Sequence, residues 1–87
     1  MYQLAVAAIA AGFALSSWAY EPPLCKEDSS SYEVCQTYRH CIMFGQLMGP
    51  YEDEYLISAC IERTRSEFDL SQEEFDEAMK DAAIDQN

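Results

Sequence analysis

The chain has 87 residues with 16 acidic and 5 basic side chains, which give a net charge of −11 at pH 7. This length allows one domain at most, and this charge disfavours nucleic acid and anionic membrane surfaces as direct partners, because both would repel the protein. With three glycines, the sequence contains no glycine-rich phosphate-binding loop.

The first 19 residues differ from the rest of the chain because they carry no charged side chain. An apolar run over residues 4–15 leads to Ser17 and Ala19, which are spaced as the small-residue cleavage pattern of a secretory signal peptide requires. We therefore expect residues 1–19 to be a cleaved signal peptide and residues 20–87 to be the mature domain.

The alternative to cleavage is a retained membrane anchor over residues 4–20. Its 17 residues reach the lower limit of the roughly 17–25 that span a bilayer, and the protein would then be a single-span subunit of a membrane assembly. Glu21-Pro22-Pro23, which follows, stops any helix and predicts an exposed terminus of the mature chain.

The first predicted helix starts at a capping-box pattern, in which the side chains of Ser30 and Glu33 each accept a backbone N–H. Gly49-Pro50 ends this helix and starts a turn. Between these limits, apolar or small residues recur three and four apart and predict one buried helical face: Val34, Cys35, Tyr38, Cys41, Ile42, Gly45 and Met48.

The second predicted helix begins at Pro50 or Tyr51. Its first turn holds Glu52, Asp53 and Glu54, and its last holds Arg63 and Arg65, and both placements suit the helix dipole. The predicted buried face consists of Leu56, Ile57, Cys60, Ile61, Thr64 and Phe68.

The third predicted helix starts at a second capping box, Ser71 with Glu74, and Leu70 with Phe75 is placed as a hydrophobic staple. Its apolar stripe is narrow (Phe75, Ala78, Met79 and Ala82), and acids occupy the other face. No segment has the alternation of a strand. The sequence thus predicts an all-α fold: a small disulfide-stabilised three-helix domain, with an antiparallel helical hairpin and a third acidic helix, after a cleaved signal peptide.

Four cysteines in a small secreted chain predict two disulfides. Cys35 and Cys41 lie about 9 Å apart along one helix, beyond the ~7 Å limit between the Cα atoms of a disulfide. Cys41 and Cys60 lie at nearly the same level on either side of the predicted turn. This favours Cys41–Cys60 with Cys25–Cys35, and leaves Cys35–Cys60 with Cys25–Cys41 as the alternative.

No arrangement of residues indicates catalysis. The single histidine, His40, has no spare thiol to activate once the cysteines are paired. The closely spaced ligands of a zinc site are missing, and the acids after Asp69 do not fit a calcium loop, because Glu74 stands where glycine is needed. We therefore expect no enzyme activity, no cofactor and no metal.

The predicted leader, cross-linked frame and acidic surface indicate a small secreted protein that binds an extracellular or cell-surface protein with a basic patch, as a signalling, venom, salivary or effector polypeptide would. If the acids serve solubility only, the exposed aromatics near Tyr51 and Tyr55 are the remaining candidates. The candidate binding residues are Tyr51, Glu52, Asp53, Glu54, Tyr55, Glu73, Glu74 and Glu77.

Two further hypotheses concern the aromatic residues. Tyr51 and Tyr55 flank three acids, a setting in which secretory tyrosines can be sulfated, although we favour a solvated helix start with one core-facing tyrosine. A carrier of a small apolar molecule is the alternative function, although so short a chain has little room for a cavity of ~300 Å³ or more. Its pocket would be lined by Tyr32, Tyr38, Met43, Phe44, Met48 and Met79.

Overall fold

The computed structural model describes residues 20–84, so the predicted signal peptide (residues 1–19) lies outside the described residues. Within that range the chain forms three helices and no strand, which confirms the predicted all-α class. Helix α1 covers Tyr32–Met48, α2 covers Asp53–Phe68 and α3 covers Gln72–Ala82. None of these three helices is both long and apolar enough to cross a membrane.

Helix α1 starts without the predicted capping box. The residue before its first turn is Ser31, not Ser30, and the Ser31 side chain makes no capping hydrogen bond. The serine run instead connects α1 to α3. The Ser29 hydroxyl accepts a hydrogen bond from the Ser31 N–H (3.0 Å) and donates one to the Asp81 carboxylate.

Helix α2 starts later than predicted, because Glu52 is extended and Asp53 is the first helical residue. Acids occupy its first turn as predicted, but Arg65 and not Arg63 lies in its last. The helix ends where Asp69 adopts a left-handed conformation (φ 55°) and donates its N–H to the Arg65 carbonyl. Aspartate is one of the few residues other than glycine that adopt this conformation readily.

Helix α3 begins at the predicted capping box. The Ser71 hydroxyl accepts the Glu74 N–H (3.1 Å), and the Glu74 carboxylate accepts the Ser71 N–H (2.8 Å). Leu70 packs against the core that contains Phe75, as a hydrophobic staple would.

The core lies where the three helices meet, and its centre consists of Tyr38, Ile42, Leu56, Cys60 and Phe75. The rings of Tyr38 and Phe75 meet edge to face with their centroids 5.7 Å apart. Most of the predicted buried faces are buried or half-buried, but Met48 is wrongly assigned because its side chain is 65% exposed.

Two disulfides cross-link the domain, and they have the connectivity that the sequence favoured. Cys25 pairs with Cys35, and Cys41 pairs with Cys60, with Cα–Cα distances of 5.9 and 5.7 Å. The second disulfide joins α1 to α2.

The N-terminal segment, residues 20–31, is packed against the helices in part. Pro22 is buried and Pro23 is half-buried, so the predicted exposed terminus is wrong for the two prolines, whereas Glu21 is exposed as predicted. The Arg39 guanidinium of α1 donates to the carbonyls of Pro22 (3.1 Å) and Pro23 (3.3 Å), which holds this proline pair against the helix.

Further along, the same segment pairs with the end of α3. The Lys26 N–H donates to the Ala82 carbonyl (2.7 Å), and the Ile84 N–H donates to the Leu24 carbonyl (2.8 Å). Both ends of the described chain are therefore tied together, an arrangement that no local sequence pattern predicted.

Candidate functional site

Six large apolar side chains are exposed around the turn between α1 and α2. Leu47 is 84% exposed and Phe44 is 65% exposed. Exposed apolar side chains that cluster in this way mark interaction sites, whereas single ones need no explanation. The cluster, which we term the apolar tip, consists of Met43, Phe44, Leu47, Met48, Tyr51 and Tyr55.

The apolar tip forms because the last turns of α1 are apolar on more than one face. Ile42 and Gly45 face the core, whereas Met43, Phe44 and Leu47 lie off that face and are exposed. Gly45 is buried, and any side chain there would meet that of Leu56 in α2. The two helices thus approach closely at Gly45, and the larger side chains beside it remain outside the contact.

Part of the apolar tip lines a groove of about 680 Å³ between α1 and α2. Phe44, Met48, Tyr51 and Tyr55 contribute apolar surface to it. Its other lining residues include the charged or polar Arg63, Glu67 and His40.

Tyr51 and Tyr55 form a stacked pair beside this groove. Their ring centroids lie 5.8 Å apart with an interplanar angle of 26°, and both side chains are more than half exposed. The preferred interpretation, in which one of these tyrosines faces the core, is therefore wrong. Tyrosine sulfation stays a prediction.

The acids between these two tyrosines fall into two kinds. Glu52 and Glu54 are exposed, and in the sequence they lie between Tyr51 and Tyr55 of the apolar tip. Asp53 is half-buried, and its carboxylate accepts the backbone N–H of Tyr20 at 3.0 Å. Asp53 thus already has a partner inside the fold, which leaves Glu52 and Glu54 as the acids available to another molecule.

The three candidate acids of α3 lie on a separate surface. Glu73, Glu74 and Glu77 are exposed and border a shallow groove that none of the apolar-tip residues lines. Hydrogen bonds from the backbone and then the side chain of Ser71 lower the pKa of Glu74. Glu74 is therefore a helix cap, and Glu73 and Glu77 are the unengaged members of the set.

The four cysteines and the histidine of the described range form no nucleophile–base pair. All four cysteines are in disulfides, so His40, which is exposed, has no thiol to activate. Within residues 20–84, no three His, Cys, Asp or Glu side chains are placed to hold a metal ion together.

Of the six residues suggested for a carrier pocket, Phe44 and Met48 line the groove beside the apolar tip, and the other four do not. Tyr38 instead lies in the core and Met79 packs against it, while Tyr32 is half-buried at the start of α1.

No protein-family model, curated protein or solved structure matches this chain. The exposed surface itself therefore has to indicate the function. Sequence reasoning named Tyr51 and Tyr55 but missed Leu47 altogether. The pattern that could have identified Leu47 was present in the sequence, because Met43, Phe44 and Leu47 are apolar and lie outside the core-facing positions of α1.

Proposed function

We propose that the protein is a small secreted polypeptide that binds an extracellular or cell-surface protein through the apolar tip. The observation that carries this proposal is the group of exposed Phe, Leu, Met and Tyr side chains beside Glu52 and Glu54. Aromatic residues and methionine are enriched at the centres of protein interfaces, and polar residues form the rim. A few such anchors supply most of the binding energy.

Charge favours a partner with basic residues around an apolar site. The chain has a net charge of −11, so a second copy or an anionic lipid surface would be repelled, whereas a basic protein would be attracted. Glu52 and Glu54 supply the complementary rim.

Secretion is supported by the two disulfides, which form and persist in oxidising compartments, and by the leader-like pattern of residues 1–19. We further propose that α1 and α2 form an antiparallel hairpin whose turn presents the apolar tip. Cys41 is bonded to Cys60, and Gly45, four residues on, faces Leu56, four residues back, as such a hairpin requires.

A photo-crosslinking side chain at position 47 tests the proposed surface. The secreted protein would be incubated with intact cells and extracellular fluid of its source, and each adduct identified by mass spectrometry. A matched variant carries the same group at position 77, which is exposed on α3. We expect an adduct with one basic protein from position 47 and none from position 77. The same adduct from position 77 alone would overturn the proposal.

The other possible occupants give distinct results. Sedimentation of the secreted protein would reveal a dimer if a second copy covered the apolar tip, and Leu47→Ser would abolish that dimer. Flotation with phosphatidylcholine vesicles would reveal lipid binding. Either result, without an adduct to a different protein, would contradict the proposed binding to an extracellular or cell-surface protein.

The groove supports the carrier alternative, because about 680 Å³ is the size of a small-molecule site. Titration with the neutral apolar dye N-phenyl-1-naphthylamine distinguishes the two functions. A carrier would show saturable binding of one dye per chain that Phe44→Ser removes, whereas the proposed protein ligand would show none.

A further inference from the structure

Every polar group of Tyr20, the first residue of the predicted mature chain, makes a hydrogen bond within the fold. Its backbone N–H donates to the Asp53 carboxylate at 3.0 Å, and its hydroxyl lies 3.0 Å from the Tyr38 hydroxyl. Its carbonyl accepts a hydrogen bond from the side-chain amide of Gln46. The ring packs against the core.

Such complete engagement is unusual for a chain terminus. The first residues of a domain are poorly ordered unless something ties them down. Here Tyr20 is hydrogen-bonded to Tyr38 and Gln46 of α1 and to Asp53 in the first turn of α2. The acceptor on the Tyr20 nitrogen is a carboxylate, the side chain best suited to a cationic amine.

We propose that the amino group released at Tyr20 by removal of the leader forms an ion pair with Asp53, which anchors the mature N-terminus to α2. This proposal depends on the proposed secretion of the protein. In the cleavage, water adds across the Ala19–Tyr20 peptide bond. Ala19 leaves with a carboxylate on the leader, and the Tyr20 nitrogen takes up the released proton to become an ammonium group.

Cleavage changes the interaction without requiring the chain to move. Before it, the Tyr20 nitrogen is an uncharged amide that donates one hydrogen bond to the Asp53 carboxylate. Afterwards it is an ammonium with three donors and a full positive charge, so attraction between two opposite charges is added to the hydrogen bond. Both residues are half-buried, so salt screens this pair less than a fully exposed one.

The anchor also connects maturation to the proposed binding surface. Asp53 is the first residue of α2 and lies between Tyr51 and Tyr55, the stacked pair of the apolar tip. An ion pair at Asp53 therefore fixes the start of the helix that carries Tyr55.

Amine labelling of the secreted protein tests the anchor directly. The full precursor is expressed in secreting cells, its N-terminus is read by intact mass and sequencing, and the folded product is treated with limiting acetic anhydride. Lys26 and Lys80, both exposed, are internal references. We expect the Tyr20 amine to react about fivefold faster, relative to these lysines, in Asp53→Asn, as the loss of ~1 kcal/mol implies.

Glu54→Gln is the matched control, because Glu54 is the next acid in the same helical turn and is exposed. It should leave labelling of the amine unchanged. Asp53→Asn should also lower the Tm by about 4–8 °C more than Glu54→Gln does. If Asp53→Asn is not secreted, the wild-type protein suffices, since unfolding in urea should raise the labelling of the Tyr20 amine relative to the two lysines.

The outcomes separate the anchor from the proposed function. A product that retains Met1 would overturn secretion and the anchor together. A secreted product that starts at another residue would overturn the anchor alone. A product that starts at Tyr20, with labelling indifferent to Asp53 or to unfolding, would also overturn the anchor and leave secretion and partner binding standing.

Discussion

Removal of the Cys41–Cys60 disulfide should destabilise the domain more than removal of Cys25–Cys35. The sequence separations are 19 and 10 residues. Because a disulfide restricts the unfolded chain more when it closes a longer loop, these separations correspond to about 3.2 and about 2.7 kcal/mol at 25 °C. Each bridge contains one fully buried cysteine, Cys35 or Cys60. Packing still adds to the difference, because Cys60 lies in the central core cluster and Cys41 packs against it.

The Cys25–Cys35 bridge also has support from neighbouring contacts. Without it, the N-terminal segment keeps the hydrogen bonds from Arg39 to Pro22 and Pro23. We therefore expect Cys41→Ala/Cys60→Ala to lose about 0.5–1 kcal/mol more than Cys25→Ala/Cys35→Ala, which is about 2–8 °C in Tm.

Urea unfolding followed by circular dichroism measures both losses. Because removal of a bridge lets the unfolded chain expand and expose more surface, the free energy of unfolding should depend more steeply on urea in both double variants than in the wild-type protein. The free energies extrapolated to zero urea, and not the midpoints, are therefore compared. Equal losses, or a larger loss in Cys25→Ala/Cys35→Ala, would refute the reasoning that the bond between α1 and α2 carries more of the stability.

Three further predictions concern single residues. Burial, and then the hydrogen bond with Tyr20, raises the pKa of Tyr38. The contribution of the neutral Tyr38 phenol to the free energy of unfolding should therefore be complete below pH ~10 and decrease as the pH rises further. An absorbance titration should show one phenol that ionises late, and Tyr38→Phe should remove it. Ser71→Ala should cost about 1 kcal/mol in thermal unfolding. Because the pKa of Glu74 is lowered in the fold, the stabilisation by the Ser71–Glu74 capping box should be present at neutral pH and be lost as acid protonates Glu74. Gly45→Leu should cost about 1–3 kcal/mol by overlap with Leu56, measured in urea.

Local patterns predicted the parts of the fold that depend on local physics. The capping box at Ser71 and Glu74 formed because both hydrogen bonds join residues three apart. The similar pattern at Ser30 and Glu33 failed, since α1 begins one residue later than the pattern requires and the residue before its first turn, Ser31, makes no capping hydrogen bond. A capping-box pattern therefore predicts a cap only where the helix begins at the expected residue.

The candidate site was predicted only in part for a similar reason. Tyr51 and Tyr55 were identified, but which apolar residues of α1 stay outside the core depends on where α2 lies. Gly45 sets that position by allowing the two helices to approach closely. Likewise, the involvement of Asp53 depends on Tyr20, which lies 33 residues earlier in the chain. Contacts between residues this far apart in the sequence produce no periodic pattern from which they could be predicted.

Binding kinetics with the partner identified by crosslinking test whether the apolar tip is the contact surface. The secreted wild-type protein would be compared on a biosensor with Phe44→Ser and with Glu73→Gln/Glu77→Gln, in which the charge changes are on α3. We predict that Phe44→Ser weakens binding about thirtyfold, as the loss of an interface anchor of ~2 kcal/mol implies, mainly through faster dissociation. The α3 variant should slow association only a few-fold. Unchanged affinity in Phe44→Ser, together with a loss of affinity in the α3 variant, would show that the apolar tip is not the contact surface.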